Sequence, residues 1–551
     1  MIYADFDERG SDVWQPAIEE DEQPRVFQIR GHLVHGIPRV GDSNYDPACP
    51  TCNPGSINDL GTPTAVVVTT SSPPAAMATA VAVQGPIPAT DNYNYYGQQQ
   101  DNGSSALIRQ YGETISRIDD NSSNGFVTGI AVVFISGEMA GIGMLAAPWA
   151  VVNLGWMGFV LLVAFGIATA YSASCLGTCW LILEERYQQY RVYPIPDPYP
   201  TIAMHAIGRR TSVISSYLTK ACIHLTLFGS ATVYLMLIAQ SAQKLFTGTH
   251  PEIEFSTWLF VFSISLSSLI FLESPKDYYI LAVGALLTTM TSCYFILMQI
   301  LMDERIKEGS APDTQTVMSA NQFFLSFGSI LFSYGGAASF PVIHFQMFKQ
   351  DEFSRSVVTS FIIMTILFGS IVVGGYIVYG HTINPNILMS LGDSWLSYAA
   401  IALMAAHLIL GFVIMVKPVS GQLESFFNTP LRTFSFRRIV IRLCLVLSMI
   451  GLSEIVPNFT VLVALIGCST VILATFVLPS IFYLRLCAMQ SATWPDRSLS
   501  WKSKLYMYTI IIVGLTSGLV AMATALSELI NLRSLISHYY YYYYDLDNTY
   551  M

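Results

Sequence analysis

Charge is scarce in this sequence. Asp, Glu, Lys and Arg make up 12% of its 551 residues, against about 25% in ordinary soluble domains. So little charge excludes a chain that keeps most of its surface in water. No phosphate-cradling loop, zinc signature or nucleophile elbow is present, which argues against an ATP-driven pump and leaves no sign of an enzyme. Nothing basic or aromatic is arranged for nucleic acid. No apolar core of a signal peptide lies in the first thirty residues, so the first apolar helix is expected to act as the insertion signal. Of nine cysteines, Cys49 and Cys52 form one CxxC in a Pro-rich stretch. Two further ligands at suitable spacing are missing, so neither a metal site nor a disulfide framework is expected. The other seven fall in or beside apolar runs, as small packing residues do. The net charge of -10 says little about partners. Much of the acid sits in the first 120 residues, as at Glu19, Glu20, Asp21 and Glu22, where a run of like charge stays solvated.

What the chain has is apolar length. Runs near the roughly 20 residues needed to cross a hydrocarbon core recur from about residue 126. In lipid the spanning backbone must satisfy its own amides, so these runs are expected to be helical. We place spans at 127–151, 155–183, 212–243, 256–273, 278–302, 321–347, 356–380, 394–416, 438–456, 459–486 and 506–532, about eleven in all. The expected class is an all-α integral membrane protein. Residues 1–125 read as a disordered cytoplasmic tail, 126–535 as the membrane domain, and 536–551 as a short extracytoplasmic tail carrying six tyrosines at 539–544. With the N-terminus inside, fifteen Lys and Arg between Arg186 and Lys504 fall in inward loops, while Lys244, Arg305, Lys307 and Arg533 lie outward. That is a strong positive-inside bias. The C-terminus then lies outside the cell or in an organelle lumen; the sequence does not choose between plasma, lysosomal and vesicular membranes. Asn458 heads an outward glycosylation sequon that abuts a span, whereas those at Asn102 and Asn121 would be cytoplasmic.

Two spans carry interruptions. The first contains Gly137, Gly141, Gly143 and Pro148; the sixth contains Gly335 and Gly336, followed by Pro341. Glycines in membrane helices also permit close packing. Their recurrence at corresponding places in two halves points instead to a transporter binding site. Spans one and six would open two five-helix halves, the 5+5 inverted repeat of LeuT-like folds with broken helices 1 and 6. Unwound backbone at that depth must line protein or water. Its free amides suit a carboxylate and its carbonyls an ammonium, the two ends of an amino acid.

Gly141, Gly143, Leu145, Pro148 and Ala150 resemble the GxGxLxxPxA signature of the amino acid/auxin permease family. Phe332, Ser333, Tyr334, Pro341, Met347 and Phe353, then Gly375, Tyr376, Tyr379 and Gly380, are similar to its sixth and seventh helices. The run from Ile455 to Phe459, with Gly467, Leu478-Pro479-Ser480 and Leu484-Arg485-Leu486, resembles its ninth and tenth, nearest to the vesicular inhibitory amino acid transporter branch. The similarity covers roughly residues 125–535. It implies eleven helices, a cytoplasmic N-terminus and ion-coupled amino acid movement. Sodium-coupled members carry an Asn where this chain has Gly137, and a hydroxyl in the eighth helix where 408–416 has none. Protons are therefore the expected coupling ion, with no other cofactor.

Ionisable side chains inside spans are costly and mark function by default. Glu138 beside the first interruption, His224 in the third span and His407 in the eighth are the candidates for proton coupling. Each could instead hydrogen-bond a carbonyl across helices. Lys220 is placed to snorkel to the inner surface. His344 in the sixth span is undecided, and Glu273 reads as solvated. Gly137, Ala140, Gly141, Gly143, Tyr334, Gly335 and Gly336 are the expected substrate contacts, with the third and eighth spans as the facing wall. The function expected is a secondary transporter of small neutral amino acids working by alternating access. The rivals are an amino acid sensor that signals through its N-terminal tail and a channel.

Overall fold

The structure is a computed structural model. It describes residues 26–30, 64–68, 79–81 and 124–549, except 188, 193–196, 209–210, 272–274, 307–318, 348, 428, 430–434 and 492–493. The acidic run at Glu19, the Cys49–Cys52 pair, the sequons at Asn102 and Asn121, and Glu273 lie outside the described residues. The chain divides into a unit of residues 7–106 and a second holding the rest.

In the smaller unit, β1 (Val26–Arg30), β2 (Thr64–Val68) and β3 (Thr79–Val81) form an antiparallel sheet in that order. Val26 stands opposite Val68, and Val66 opposite Val81. The β-branched content of these segments suits a pleated surface, and β2 and β3 fall between Pro63, Pro73, Pro74 and Pro86.

The larger unit is helical. Its elements are α1 (Asn124–Met139), α2 (Ile142–Leu154), α3 (Trp156–Arg186), the short α4 (Pro198–Ala206), α5 (Ser212–Phe246), α6 (Phe255–Ser267) and α7 (Pro275–Ile306). There follow α8 (Ala320–Ser333), α9 (Phe340–Gln346), α10 (Phe353–Tyr379), α11 (Trp395–Phe426) and α12 (Phe436–Ile455). The last are α13 (Phe459–Ile466), α14 (Leu478–Ala488) and α15 (Trp501–Thr549). Among the described residues, seven helices are long and apolar enough to cross a membrane, and α1 with α2 forms a further candidate bent by 55°. Helix therefore overlaps every span placed from the sequence.

Both interruptions fall where the glycines are. In the first span the helix breaks at Ala140-Gly141, seven residues before Pro148, which α2 absorbs in its interior. In the sixth, α8 ends at Ser333 and α9 begins at Phe340 with Pro341 in its first turn, where proline's missing N–H costs nothing. The residues between them turn tightly, with Gly336 N–H bonded to Tyr334 O at 3.0 Å and Ser339 N–H to Gly336 O at 3.1 Å.

Around the breaks, α8 packs on α2 and α10 on α1, while α11 lies extensively against α7 and α5. Many hydroxyls along the spans turn back on their own helices, as Thr226 does to Cys222 O at 2.9 Å and Ser329 to Leu325 O at 3.0 Å. Asn458 accepts from Thr460 N–H at 3.0 Å through Oδ1 and so caps α13.

Candidate functional site

Buried polar chemistry collects at the two breaks. Gly141 has φ -93° and ψ -109°, and no side chain caps α2 behind it. The first-turn amides of α2 therefore point into the break, as those of any helix start do. A Cβ on Gly141 would fall 2.5 Å from Tyr234 Oη and 3.0 Å from His407 Nε2. Only glycine lets α5 and α11 come this close to the break.

The second break meets the first through side chains. Ser339, at the start of α9, donates from Oγ to Glu138 Oε1 at 2.7 Å. Ser333 Oγ lies 3.1 Å from Gly143 O and 2.9 Å from Ser329 O.

Beside Glu138 lies a small cavity of about 20 Å³, lined by Val133, Phe134, Gly137, Glu138, Tyr234, Ala285, His407, Gly411, Ile414 and Met415. Glu138 is the one carboxylate in that lining, and no Lys or Arg is in it. The remaining wall is largely apolar. His407 is buried, with Nδ1 2.6 Å from Thr289 Oγ1 and 3.0 Å from Ala285 O. Its Nε2 is buried without a hydrogen-bond partner. Gly411 accommodates the Tyr234 ring, since a Cβ there would come 2.6 Å from Tyr234 Cε2.

The sequence-based candidates separate here. Gly137, Glu138 and His407 line the cavity, and Gly141 edges it through Tyr234 and His407. Ala140 is fully buried at the break. Gly143 lets α2 meet α8: a Cβ would fall 2.5 Å from Ser333 Cα. Tyr334 turns away, stacking on Phe361 with ring centres 5.9 Å apart and placing its hydroxyl 3.5 Å from Thr365 Oγ1. Gly335 closes on Val471, and Gly336 on the Phe340 ring and Met139. His224 lies outside the cavity lining, its Nδ1 2.7 Å from Lys220 O. Lys220 itself pairs with Asp197 at 2.6 Å. His344 Nε2 lies 3.1 Å from Gln350 O.

Sequence reasoning passed over Tyr234, Thr289, Gly411 and Ser339. A hydroxyl or a lone glycine in an apolar run reads like packing, and only their convergence marks them. It also passed over charges in or near spans, the buried Asp303, Glu424 and Arg442 and the half-buried Glu352. Asp303 accepts from Tyr379 Oη at 2.6 Å, Gln299 Nε2 at 2.8 Å and Gly392 N–H at 2.9 Å. Glu424 on α11 pairs with Arg442 at 2.6 Å and Arg438 at 3.1 Å on α12. At the opposite end of α10 from Asp303, Thr128 donates to Glu352, and Ser356 Oγ bonds Thr128 O at 3.4 Å.

Long apolar helices and a broken span mark an integral multi-pass membrane protein. The profile of the family described as "Transmembrane amino acid transporter protein" matches residues 127–527. The chain belongs to that family, which moves solutes and is not enzymatic. It is similar to two amino acid transporters of Arabidopsis thaliana. AVT1H is 27% identical over 365 residues, covering 65% of this chain and 81% of the relative. AVT1J is 24% identical over 429 residues, covering 76% and 94%. Among solved structures, the Eremococcus coleocola manganese transporter in complex with an aromatic bis-isothiourea substituted compound aligns at 12% identity and a TM-score of 0.49, over 76% of this chain and 93% of that one. MhsT in complex with L-phenylalanine aligns at 11% identity and 0.43, over 73% and 99%.

Proposed function

We propose that the chain is a secondary active transporter of small neutral amino acids, working by alternating access and coupled to protons. Its eleven spans would form a 5+5 inverted repeat, with the N-terminus in the cytoplasm and the C-terminus outside or lumenal. The observation that carries the reading is the cavity beside the first break, with Glu138 tied to the second break through Ser339. Glu138 and His407 are the proton carriers, and His224 lies on α5, about three turns before the cavity-lining Tyr234. The α2 amides at Gly141 and Gly143 hold the substrate carboxylate, and the apolar wall of Val133, Phe134, Ile414 and Met415 admits short uncharged side chains. The Asp303 network would close one end and the Thr128–Glu352 contact the other, opening in turn. Lack of a lining cation disfavours acidic substrates, because a second carboxylate would meet Glu138.

The experiment is uptake of an amino acid panel into proteoliposomes, with and without an imposed pH gradient. Saturable uptake of alanine, glycine or proline, accelerated by an inward proton gradient, is the expected result. Conductance that never saturates would make the protein a channel. Binding without flux would make it a sensor, and gradient-independent exchange would remove the proton.

A further inference from the structure

The environment of His407 fixes more than its position. Its Nδ1 faces two oxygens, Ala285 O at 3.0 Å and Thr289 Oγ1 at 2.6 Å. A carbonyl oxygen only accepts, so an unprotonated Nδ1 would set two lone pairs against each other. Thr289 Oγ1 is also 2.8 Å from Ala285 O and donates to it. With its proton committed there, the hydroxyl turns a lone pair toward His407. All three contacts are satisfied together only when Nδ1 carries hydrogen. The ring nitrogen left over, Nε2, is then a bare acceptor. It is the buried atom without a partner, in a cavity-lining residue, next to Gly141.

We infer that Thr289 and the Ala285 carbonyl lock His407 as its Nδ1–H tautomer, and that the Nε2 lone pair so presented selects, with Glu138, substrates whose amino nitrogen bears N–H donors. The inference rests on the transporter reading and deepens it. Thr289 is a positioning residue that acts through the imidazole; His407 is the contact. Two acceptors in one cavity wall suit an ammonium, which brings three donors. A trimethylated nitrogen carries the same charge with no donor and leaves both acceptors unpaired, a loss a buried polar group does not tolerate. The groups facing His407 are Glu138 from α1, Tyr234 from α5 and Thr289 from α7; among the described residues the cavity has no other titratable side chain.

The test has two arms. In the first, the full chain with 15N-labelled histidine is studied in bilayers by solid-state NMR, with the His407 signals assigned by their loss in His407→Gln. Protonated Nδ1 and unprotonated Nε2 are expected in the unsubstituted protein and in Thr289→Ser, and a mixture of tautomers in Thr289→Val. A protonated Nε2 in the unsubstituted protein overturns the lock. In the second, alanine and N,N,N-trimethylalanine compete for alanine uptake in proteoliposomes. Alanine is expected to compete at least about tenfold better. Thr289→Val should raise the KM for alanine roughly three- to tenfold at nearly constant turnover, the loss of one buried hydrogen bond, with Thr289→Ser restoring it. Equal competition by the trimethylated compound, or an unchanged KM in Thr289→Val, overturns the selection. If no amino acid is carried at all, the transporter reading falls and the selection with it, while the NMR signal still decides the lock.

Discussion

Ser339 Oγ donates to Glu138 Oε1 across 2.7 Å, a hydrogen bond that joins the interrupted first span to the interrupted sixth. Each break leaves backbone groups that a continuous helix would have paired, and each sits against the other. In the proposed cycle the carboxylate trades this bond for a substrate ammonium.

Glu138→Gln tests that trade. The amide keeps an oxygen for Ser339 but carries no charge and does not titrate. Net uptake per delivered protein is expected to fall at least about tenfold, the loss of a charge-assisted contact, and a pH gradient should no longer accelerate what remains. Ser339→Ala leaves the carboxylate in place and should cost less. Initial rates in proteoliposomes at two external pH values check both. Gradient-driven accumulation by Glu138→Gln would pass the proton role to His407.

The close approach of α2 and α8 makes a stability prediction. A methyl at Gly143 would lie 2.5 Å from Ser333 Cα, a backbone atom with no freedom to turn aside. Gly143→Ala is expected to cost about 1–3 kcal/mol through overpacking, lowering the unfolding temperature by several degrees. At Gly369 on α10 nothing lies within 4 Å of an added Cβ. Gly369→Ala should leave stability unchanged or raise it by up to about 1 kcal/mol, the helix preference for alanine. Thermal unfolding in one detergent compares the two, and equal melting temperatures would contradict the contact.

Why Gly143 was legible and Tyr234 was not follows from what sequence can carry. Apolar length gave the helices, because lipid leaves few alternatives to a spanning helix. Glycine spacing gave the breaks at Gly141 and at Gly335-Gly336, because only backbone without Cβ unwinds cheaply at that depth. Tyr334 and Gly336, which read as substrate contacts, pack on Phe361 and Phe340 in this structure, because unwinding and close approach use the same residues. Glu138 and His407 stood out as ionisable groups in apolar runs. Asp303 and Glu424 escaped because the apolar windows end at 302 and 416, short of where α7 and α11 actually stop. Arg442 falls inside a predicted span and could have been found by the rule that marked Glu138.

Those unnoticed charges predict a large effect away from the cavity. Glu424 and Arg442 side chains are each 3% exposed, and Arg442 also donates to Ile270 O at 3.0 Å. Arg442→Met strips Glu424 of its closest partner and leaves the Ile270 carbonyl, in the turn just after α6, without that donor. Breaking a buried pair from one side costs about 3–5 kcal/mol, so the variant is expected to be poorly folded or markedly less heat-stable. Removing both charges in Glu424→Met/Arg442→Met should recover part of the loss, since the desolvated carboxylate goes too. A double variant less stable than the sum of the singles would show that the pair does more than cancel its own burial.

On the connecting segment between the second and third spans, His205 makes a pH prediction. Its Nε2 lies 2.6 Å from Tyr190 Oη, and the ring packs on Tyr187 with centres 4.6 Å apart. Burial holds its pKa down from 6.5 to about 4. The fold therefore keeps the imidazole neutral where the unfolded chain begins to protonate it. The unfolded state binds more protons below pH 6.5, so stability from this residue is complete above that value. It is lost as pH falls from 6.5 toward 4. The full shift corresponds to roughly 3–4 kcal/mol. Melting temperatures measured between pH 7.5 and 4.5 should fall less steeply in His205→Gln than in the unsubstituted protein. The Gln variant keeps a polar contact for Tyr190 but has no charge to acquire. Parallel curves for the two would mean that His205 is solvated enough to protonate freely in the folded state, and that α4 packs less tightly on its neighbours than the ring contacts indicate.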